Sequence, residues 1–247
     1  AAARMDISIW EAGKMCSQLS SESPFAKRKF SVSGKEITLY PAMQADRPLI
    51  VLNTYTGDGE SVMREVRKIS AGDVNVLVIG NLDWNHDMTP WYCPPLSADD
   101  TAATGGADEY LELLLSEILP KARTLICGNP TRTCIAGYSL AGLFALYAMY
   151  RCDAFERAAS ISGSLWFPDF LEFAAGHDML RKPDRIYLSL GDKEKKTRHP
   201  LLKTVQDNTE ALAEHYRQLG IEVTFELNPG NHFQDAALRS AKGMTAI

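Results

Sequence analysis

The sequence predicts an α/β fold, with a mainly parallel central sheet, helices on both of its faces and an N-terminal antiparallel hairpin. The parallel sheet is predicted by the nearly continuous apolar runs at residues 49–52 and 74–79, which are typical of strands covered on both faces. The covering helices are predicted because helical and strand-like segments alternate along most of the chain. A chain of 247 residues is long enough for one such domain. We therefore expect a single domain over residues 1–247, with 1–25 as a candidate N-terminal extension.

The individual elements follow from local patterns. Residues 28–32 and 35–40 alternate apolar and polar side chains around Ser33-Gly34, which predicts the hairpin. A helix is expected at 60–69, between the first two buried strands. Further helices are expected at 107–118, 140–150, 201–219 and 235–244, and further strands at 133–136, 157–161, 185–190 and 222–227. Pro120 predicts the end of the helix at 107–118, and the irregular residues 81–106 are the expected wall of a pocket.

Composition narrows the classes of partner and compartment. The chain carries 26 basic and 31 acidic side chains, a formal net charge of -5, and no basic stripe interleaved with aromatics, which argues against nucleic acid as a partner. Five cysteines without a CxxC pair favour reduced thiols and a cytoplasmic location. Charged residues interrupt every apolar run near the N-terminus, so no secretory signal is expected. The uncharged residues 133–150 are interrupted by Gly-Tyr-Ser-Leu-Ala-Gly, so no membrane partner is expected either. Oligomeric state is left open by the sequence.

Residues 136–142, Ala-Gly-Tyr-Ser-Leu-Ala-Gly, contain the candidate nucleophile, Ser139. The serine lies between a predicted buried strand and an apolar helix, where a tight turn would project its hydroxyl from the backbone. Such a turn needs small neighbours, and Gly137, Ala141 and Gly142 supply them, although Ala141 replaces the second glycine of the usual G-x-S-x-G pattern. The alternative is a serine that caps a core helix.

A histidine and a carboxylate follow Ser139 in the chain order that a serine nucleophile of the α/β-hydrolase fold requires. His232 follows the strand at 222–227 through a short loop, which makes it the first candidate for the base, with His199 second. The acid is expected just after the strand at 185–190. Glu194 is favoured because a G-x-x-acid turn lets the side chain reach back to the histidine, and Asp192 is the alternative. Both carboxylates could instead be surface charges beside neighbouring lysines.

With these residues in place, the chain resembles the putative-esterase, or esterase D-like, family of the α/β-hydrolase superfamily, and within it the esterases that open trilactone siderophores. The segments that carry the resemblance are residues 81–91, 105–108, 137–139, 162–166 and 230–233. The resemblance implies Ser139 as nucleophile, His232 as base and an acid within residues 191–194. Some siderophore esterases of this branch resemble Ser-His dyads, so the acid is the least secure of the three.

The chain departs from many of these relatives after its first buried strand, where Asn53-Thr54-Tyr55 stands in place of His-Gly. The second donor of an oxyanion hole is therefore not given by the motif. Our hypothesis is that the backbone N–H groups of Leu140 and Tyr55 form this hole. The helix that begins at Leu140 would also direct the positive end of its dipole toward the site.

Several side chains near the predicted strand ends are candidates for binding substrate. They combine large aromatic rings with polar groups, and are Trp84, Asn85, Asp87, Trp91, Trp166 and Arg198. Together they would fit an aromatic or polar acyl group, although the tryptophans could instead only close the surface of the domain. Asp83, His86 and Asp87 could be imagined as a metal cluster, but one histidine between carboxylates is a poor ligand set, so no metal and no organic cofactor are expected.

The function predicted from the sequence is hydrolysis of carboxylic esters through an acyl-enzyme, with a small-molecule ester as substrate. Siderophore-trilactone-type esters are one candidate class. The first alternative is an acyltransferase that uses the same Ser139 and passes the acyl group to an alcohol. A non-catalytic binding protein on a hydrolase scaffold is the second, and it is disfavoured because nucleophile, base and acid each have a candidate.

Overall fold

The computed structural model describes residues 26–247, so the predicted extension at 1–25 lies outside the described residues. The first element is the predicted hairpin, formed by β1 (Arg28–Val32) and β2 (Lys35–Tyr40). Its two turn residues, Ser33 and Gly34, both have positive φ angles, 46° and 79°. That combination is the backbone of a turn whose twist matches the twist of the paired strands. The hairpin prediction is confirmed.

Eight strands form one sheet. Besides β1 and β2, they are β3 (Leu49–Asn53), β4 (Asn75–Gly80), β7 (Thr133–Tyr138), β8 (Arg157–Ile161), β9 (Arg185–Gly191) and β10 (Glu222–Asn228). Their order across the sheet is β1-β2-β4-β3-β7-β8-β9-β10. All neighbouring pairs from β4 to β10 are parallel, while β1 and β2 are antiparallel at one edge. The predicted mainly parallel sheet is confirmed.

Helices cover both faces of this sheet, as predicted. They are α1 (Glu60–Ile69), α2 (Trp84–Asp87), α3 (Ala107–Leu113), α4 (Leu119–Arg123), α5 (Leu140–Arg151), α6 (Phe170–Gly176), α7 (Val205–Gln218) and α8 (Ala236–Ala246). One apolar core contains the buried side chains of α3, α5 and α7. A second core, on the other face, contains those of α1 and α8. The described chain therefore has three layers, with α5 buried along almost its whole length.

The order of the strands creates a crevice at one end of the sheet. After β3 the chain places β4 on one side of it and then returns to place β7 on the other side. The connections that leave the carboxyl ends of β3 and β7 therefore run in opposite directions, which opens a crevice between them. Ligands of open α/β sheets bind in such crevices. Tyr138, the last residue of β7, comes just before Ser139.

Two local predictions were wrong in their details. Pro120 does not end the helix that begins at Ala107, because a π-helical turn, Leu114–Ile118, leads into α4, which continues to Arg123. Pro120 is the second residue of α4, directly after the π-helical turn, so the change in helical hydrogen bonding occurs where the proline lacks an N–H. Residues 81–106 are also less irregular than expected, since they contain α2 and a short hairpin, β5 (Tyr92–Cys93) and β6 (Ala103–Thr104).

The cysteines differ from the expectation of five reduced thiols. Cys93, Cys134 and Cys152 are free and buried, but Cys127 is disulfide-bonded, so the prediction was wrong at that residue. Cys16 lies outside the described residues. The disulfide removes the argument from which a reducing, cytoplasmic compartment was expected. Between residues 26 and 247, no helix has both the length and the apolar character needed to cross a membrane.

Candidate active site

Ser139 occupies the sharp turn between β7 and α5. Its φ angle is 60° and its ψ angle is -125°, a conformation that non-glycine residues rarely adopt and that tends to occur at functional sites. A Cβ atom on Gly137 would overlap the backbone carbonyl of Ala141, and one on Gly142 would lie 2.9 Å from Ser160 Oγ. The small residues expected around the serine are therefore required by the packing of the turn, and fully buried Ala141 fits in place of a glycine.

The turn brings Ser139 to the histidine and the carboxylate that the sequence singled out. Nε2 of His232 lies 3.0 Å from Ser139 Oγ, and Nδ1 of the same ring lies 2.8 Å from Glu194 Oε2. The three side chains come from the ends of β7, β9 and β10, which reach the same edge of the sheet. An imidazole bonded in this way on both nitrogens can accept the serine proton while the carboxylate fixes its orientation.

Glu194 is buried, with 4% of its side chain exposed. Burial alone would raise the pKa of this carboxyl group, but hydrogen bonds from His232 and from the Gly191 N–H outweigh it, so the pKa lies below its usual value. The Gly191 N–H donates to Glu194 Oε1 at 2.6 Å. The group is therefore ionised near neutral pH and is ready to stabilise a positive charge on the imidazole.

The alternative acid, Asp192, has a different position. Its Oδ1 accepts the Gly230 N–H at 2.8 Å, and no contact with His232 is made. Asp192 thus holds the loop that carries the histidine. The same loop is held at its other end by Tyr138, whose hydroxyl donates to the His232 carbonyl at 2.6 Å. His199, the second candidate for the base, lies elsewhere and bonds the Leu96 carbonyl through Nε2 at 3.1 Å.

The proposed oxyanion donors, Leu140 and Tyr55, follow two neighbouring strands, β7 and β3. Asn53 at the end of β3 pairs with Gly137 on β7, and Tyr55 and Ser139, which lie beyond the ends of these two strands, line one cavity. Leu140 begins α5, where backbone N–H groups have no intrahelical acceptor. That these N–H groups form the oxyanion hole stays a prediction.

Three cavities meet at Ser139. The largest, about 550 Å³, runs from Tyr55 and Trp84 past His232 to the apolar side chains of α1 and α8. The second, about 280 Å³, lies on the Leu140 side and is lined in part by residues 93–103, which confirms the expected pocket wall. The third, about 240 Å³, passes between Trp166 and His232.

Three of the proposed substrate-binding side chains line these cavities. Trp84 borders the first two, Trp166 borders the second and third, and Asn85 borders the second. Asn85 is held by hydrogen bonds from its amide to the carbonyl and hydroxyl of Thr101. These residues remain in the proposed binding site.

The other three proposed side chains do not reach the cavities. Asp87 is buried and forms an ion pair with Lys35. Trp91 packs against Phe167 and Phe173 in the core, and Arg198 is exposed to solvent. The direction of a side chain cannot be read from its chain position alone.

Sequence reasoning missed three groups at the site. Phe233, next to the histidine, is 87% exposed and borders the first and third cavities. Ser164 lies with its Oγ 3.3 Å from Ser139 Oγ. Arg239 is fully buried beneath Glu194. A signal for Arg239 was present, because Arg239 and Lys242 are the only charged residues in residues 236–246, which are otherwise small or apolar.

The residues weighed as a metal cluster have other partners. His86 Nδ1 lies 2.7 Å from Thr104 Oγ1, and its Nε2 lies 3.5 Å from a carboxylate oxygen of Glu109. Asp87 is paired with Lys35. Across residues 26–247, no three histidine, cysteine or acidic side chains are grouped in a way that could hold a metal ion.

Comparison with known proteins identifies similar sequences and structures. The siderophore enterobactin esterase of Emericella nidulans is 27% identical over 146 residues, covering 50% of this chain and 45% of that protein. The match spans about half the length of each curated relative. Two solved structures are similar over 90% of this chain. They are an IroE-like serine hydrolase from Shewanella oneidensis, with a TM-score of 0.72 and 18% identity over 79% of that chain, and the siderophore hydrolase EstA from Aspergillus nidulans, with a TM-score of 0.67 and 20% identity over 93% of that chain.

At these identities, the solved structures show a shared α/β-hydrolase fold. The family follows from a separate observation, because the model of the family described as "Putative esterase" matches residues 53–235. That range contains Ser139, Glu194 and His232. The chain belongs to the putative-esterase family, a family of carboxylic ester hydrolases.

Proposed function

We propose that the protein is a serine esterase that cleaves carboxylic esters through an acyl-enzyme formed on Ser139. The observation that carries the proposal is the continuous hydrogen-bond chain from Ser139 Oγ through His232 to Glu194, at 3.0 and 2.8 Å. A serine hydroxyl is a weak nucleophile until a base takes its proton, and this chain supplies a base with a fixed orientation.

In the first half of the reaction, His232 takes the proton of Ser139 as Oγ attacks the acyl carbon. The N–H groups of Leu140 and Tyr55 stabilise the negative oxygen of the tetrahedral intermediate. The imidazolium, stabilised by Glu194, gives the proton to the departing alcohol. Water then loses a proton to the same imidazole and attacks the acyl-enzyme. When this second intermediate breaks down, the imidazolium gives its proton to Ser139 Oγ, the acid leaves, and both residues return to their starting state.

The two alternative functions are less well supported. An acyltransferase would share the same acyl-enzyme, and membership of an esterase family favours water over an alcohol as the acceptor. A binding protein without activity would have no use for the strained backbone of Ser139 or for a buried, ionised Glu194, because both cost free energy in the folded state.

The proposed substrate is a branched ester with aromatic arms, of the siderophore type. Three cavities converge on the one serine, and the aromatic rings of Trp84, Trp166 and Phe233 border them. A fully exposed phenylalanine adds little to folding, so its ring is available to cover an apolar part of a ligand. The siderophore esterase and hydrolase among the similar proteins point to the same class of ester.

The nucleophile is tested by turnover of p-nitrophenyl acetate and by labelling with a fluorophosphonate, followed by peptide mass spectrometry. We expect Ser139→Ala to lower kcat by about 10⁴-fold or more and to lose the label. Ser164→Ala should keep the label on Ser139, although its hydroxyl lies beside that of Ser139. Equal turnover by wild type and Ser139→Ala would reject the proposal.

The substrate class is tested by comparing a catecholate trilactone with simple acyl esters. The proposal expects a kcat/KM for the trilactone at least about ten-fold above that for a linear acetyl ester, because ring contacts add binding energy in the transition state. Analysis of the products with and without added alcohol separates hydrolysis from acyl transfer. A preference for the small acetyl ester would reject the siderophore-type substrate but not the esterase.

A further inference from the structure

Arg239 is the largest fully buried side chain among residues 26–247, with 1% of it exposed. It belongs to α8, which packs against α1 and against strands β7, β8 and β9 on the face of the sheet opposite α5. Burying a guanidinium group costs several kcal/mol unless charge and hydrogen bonds compensate for its lost hydration. The partners of this group therefore indicate why the chain keeps a charge in this position.

The guanidinium group contacts the carboxylate oxygen that the histidine does not use. Its Nη1 lies 3.3 Å from Glu194 Oε1, whereas His232 bonds Oε2. The same nitrogen lies 3.2 Å from Ser162 Oγ and 3.4 Å from the Tyr138 hydroxyl. Both oxygens of Glu194 are thus fixed, one by the imidazole and the other by the arginine and the Gly191 N–H.

Arg239 also holds the loop that carries the histidine. Its Nη2 donates to the Pro229 carbonyl at 2.9 Å. The Tyr138 hydroxyl, which Arg239 contacts, donates to the His232 carbonyl. Arg239 therefore contacts the acid, Glu194, directly. It contacts the loop that carries the base at the Pro229 carbonyl and, through the Tyr138 hydroxyl, at the His232 carbonyl.

The backbone around Arg239 is shaped to admit it. A Cβ atom on Gly191 would lie 3.0 Å from both Nη1 and Nη2 of Arg239, and it would overlap the Gly230 carbonyl. The Gly230 carbonyl therefore requires a glycine at the end of β9, and the guanidinium group packs against the same position.

We propose that Arg239 is a positioning residue for the esterase reaction, which orients Glu194 toward His232 and limits how readily the His232–Glu194 pair takes up a proton. The inference rests on the function proposed above. A positive charge beside the pair opposes the addition of a further proton, whichever of the two groups receives it. Removal of that charge makes protonation easier, so the base is lost at a higher pH.

Few other ionisable groups face Arg239. Glu194 after β9 and Tyr138 at the end of β7 contact it, and His232 is reached through Glu194. One turn further along α8, Lys242 pairs with Glu226 of β10 at 2.5 Å, and the Tyr187 hydroxyl of β9 donates to Glu226 at 2.6 Å. The facing side chains of α1 are the apolar Val62, Met63 and Val66.

The test compares Arg239→Lys and Arg239→Met with wild type, using the full chain and the pH profile of kcat/KM for a p-nitrophenyl ester. Wild type must first be shown to be active and Ser139→Ala to be inactive, as the positive and negative controls. If Ser139→Ala remained active, the proposed function would have failed, independently of Arg239. Lys242→Met is the matched control, since it removes the same charge from the same helix one turn away.

For Arg239→Met we expect kcat/KM to fall by about ten-fold or more and the acid limb to move up by about one pH unit. Arg239→Lys keeps the charge but loses the planar fork, so its kcat/KM falls while its acid limb stays with wild type. Lys242→Met should leave the limb unchanged. An unmoved acid limb in a folded Arg239→Met protein overturns the proposal, as does an equal shift in Lys242→Met.

A second comparison decides the matter if Arg239→Met does not fold, because losing one partner of a buried pair is strongly destabilising. Glu194→Gln is compared with the double variant Glu194→Gln/Arg239→Met, in which both charges are gone. If Arg239 acts through Glu194, the double variant should be within about three-fold of Glu194→Gln in kcat/KM. A further ten-fold loss in the double variant would show that Arg239 acts independently of the acid and would overturn the inference.

Discussion

His232 and Ser139 are 93 positions apart in the chain, and yet Nε2 of the histidine lies 3.0 Å from Oγ of the serine. The contact exists because β7 and β10 are parallel strands of one sheet, so the loops that leave their carboxyl ends meet at the same edge. The local sequence places each residue after a strand, and the pairing of the strands in the sheet brings the two residues into contact.

The two candidate acids should differ in their effect on turnover. Glu194→Gln removes the charge that stabilises the imidazolium, so we expect kcat to fall by about 10²- to 10⁴-fold. Asp192→Asn keeps an oxygen that can accept the Gly230 N–H, so its kcat should stay within about three-fold of wild type. Steady-state kinetics with a p-nitrophenyl ester measure both. A larger loss in Asp192→Asn would move the role of the acid to that residue.

Gly137→Ala and Gly176→Ala should change stability in opposite directions. The new methyl group at position 137 would overlap the Ala141 carbonyl, so unfolding free energy should fall by about 2 kcal/mol or more. At Gly176, at the end of α6, no atom lies within 4 Å of the new methyl group, and alanine should add about 0.5 kcal/mol. Urea unfolding measures both changes. An unchanged stability in Gly137→Ala would contradict the close packing of the nucleophile turn.

Trp166 and Trp91 should separate into a substrate contact and a core residue. Trp166→Ala opens the second and third cavities, so KM for an aryl ester should rise by about ten-fold with little change in stability. Trp91→Ala removes a ring from the core and its bond to the Pro168 carbonyl, so unfolding free energy should fall by about 3 kcal/mol. Kinetics and urea unfolding are measured on both variants. A raised KM in stable Trp91→Ala would return Trp91 to the binding site.

Glu194 should also make stability depend on pH in the acid range. Its hydrogen bonds outweigh burial and hold its pKa in the folded chain below the usual value of 4.5. The ionised group therefore stabilises the fold above the unfolded-state pKa, and this contribution is lost as pH falls through the folded-state pKa. Wild type should lose unfolding free energy more steeply below about pH 4.5 than Glu194→Gln does. Parallel curves for the two proteins would contradict the lowered pKa.

The fold could be predicted from the sequence to a large extent, for a physical reason. Apolar runs at 49–52 and 74–79 and the helical periods between strands are local patterns, and they follow directly from which faces are buried. The break at Pro120 misled the prediction, because a π-helical turn upstream accommodated the proline. No local sequence pattern predicts such a π-helical turn.

The sequence by itself determined the turn that holds Ser139, since only small residues at 137, 141 and 142 allow a strand to pass so tightly into a helix. It also determined which segments end at the site. Tertiary structure decided which side chains point into it, placing Glu194 at His232 and directing Asp87 and Trp91 into other contacts. Only the tertiary structure shows that Arg239, on the last helix, lies beneath Glu194. The reason is that chain position fixes a residue's strand end, whereas the direction of its side chain depends on packing among distant segments.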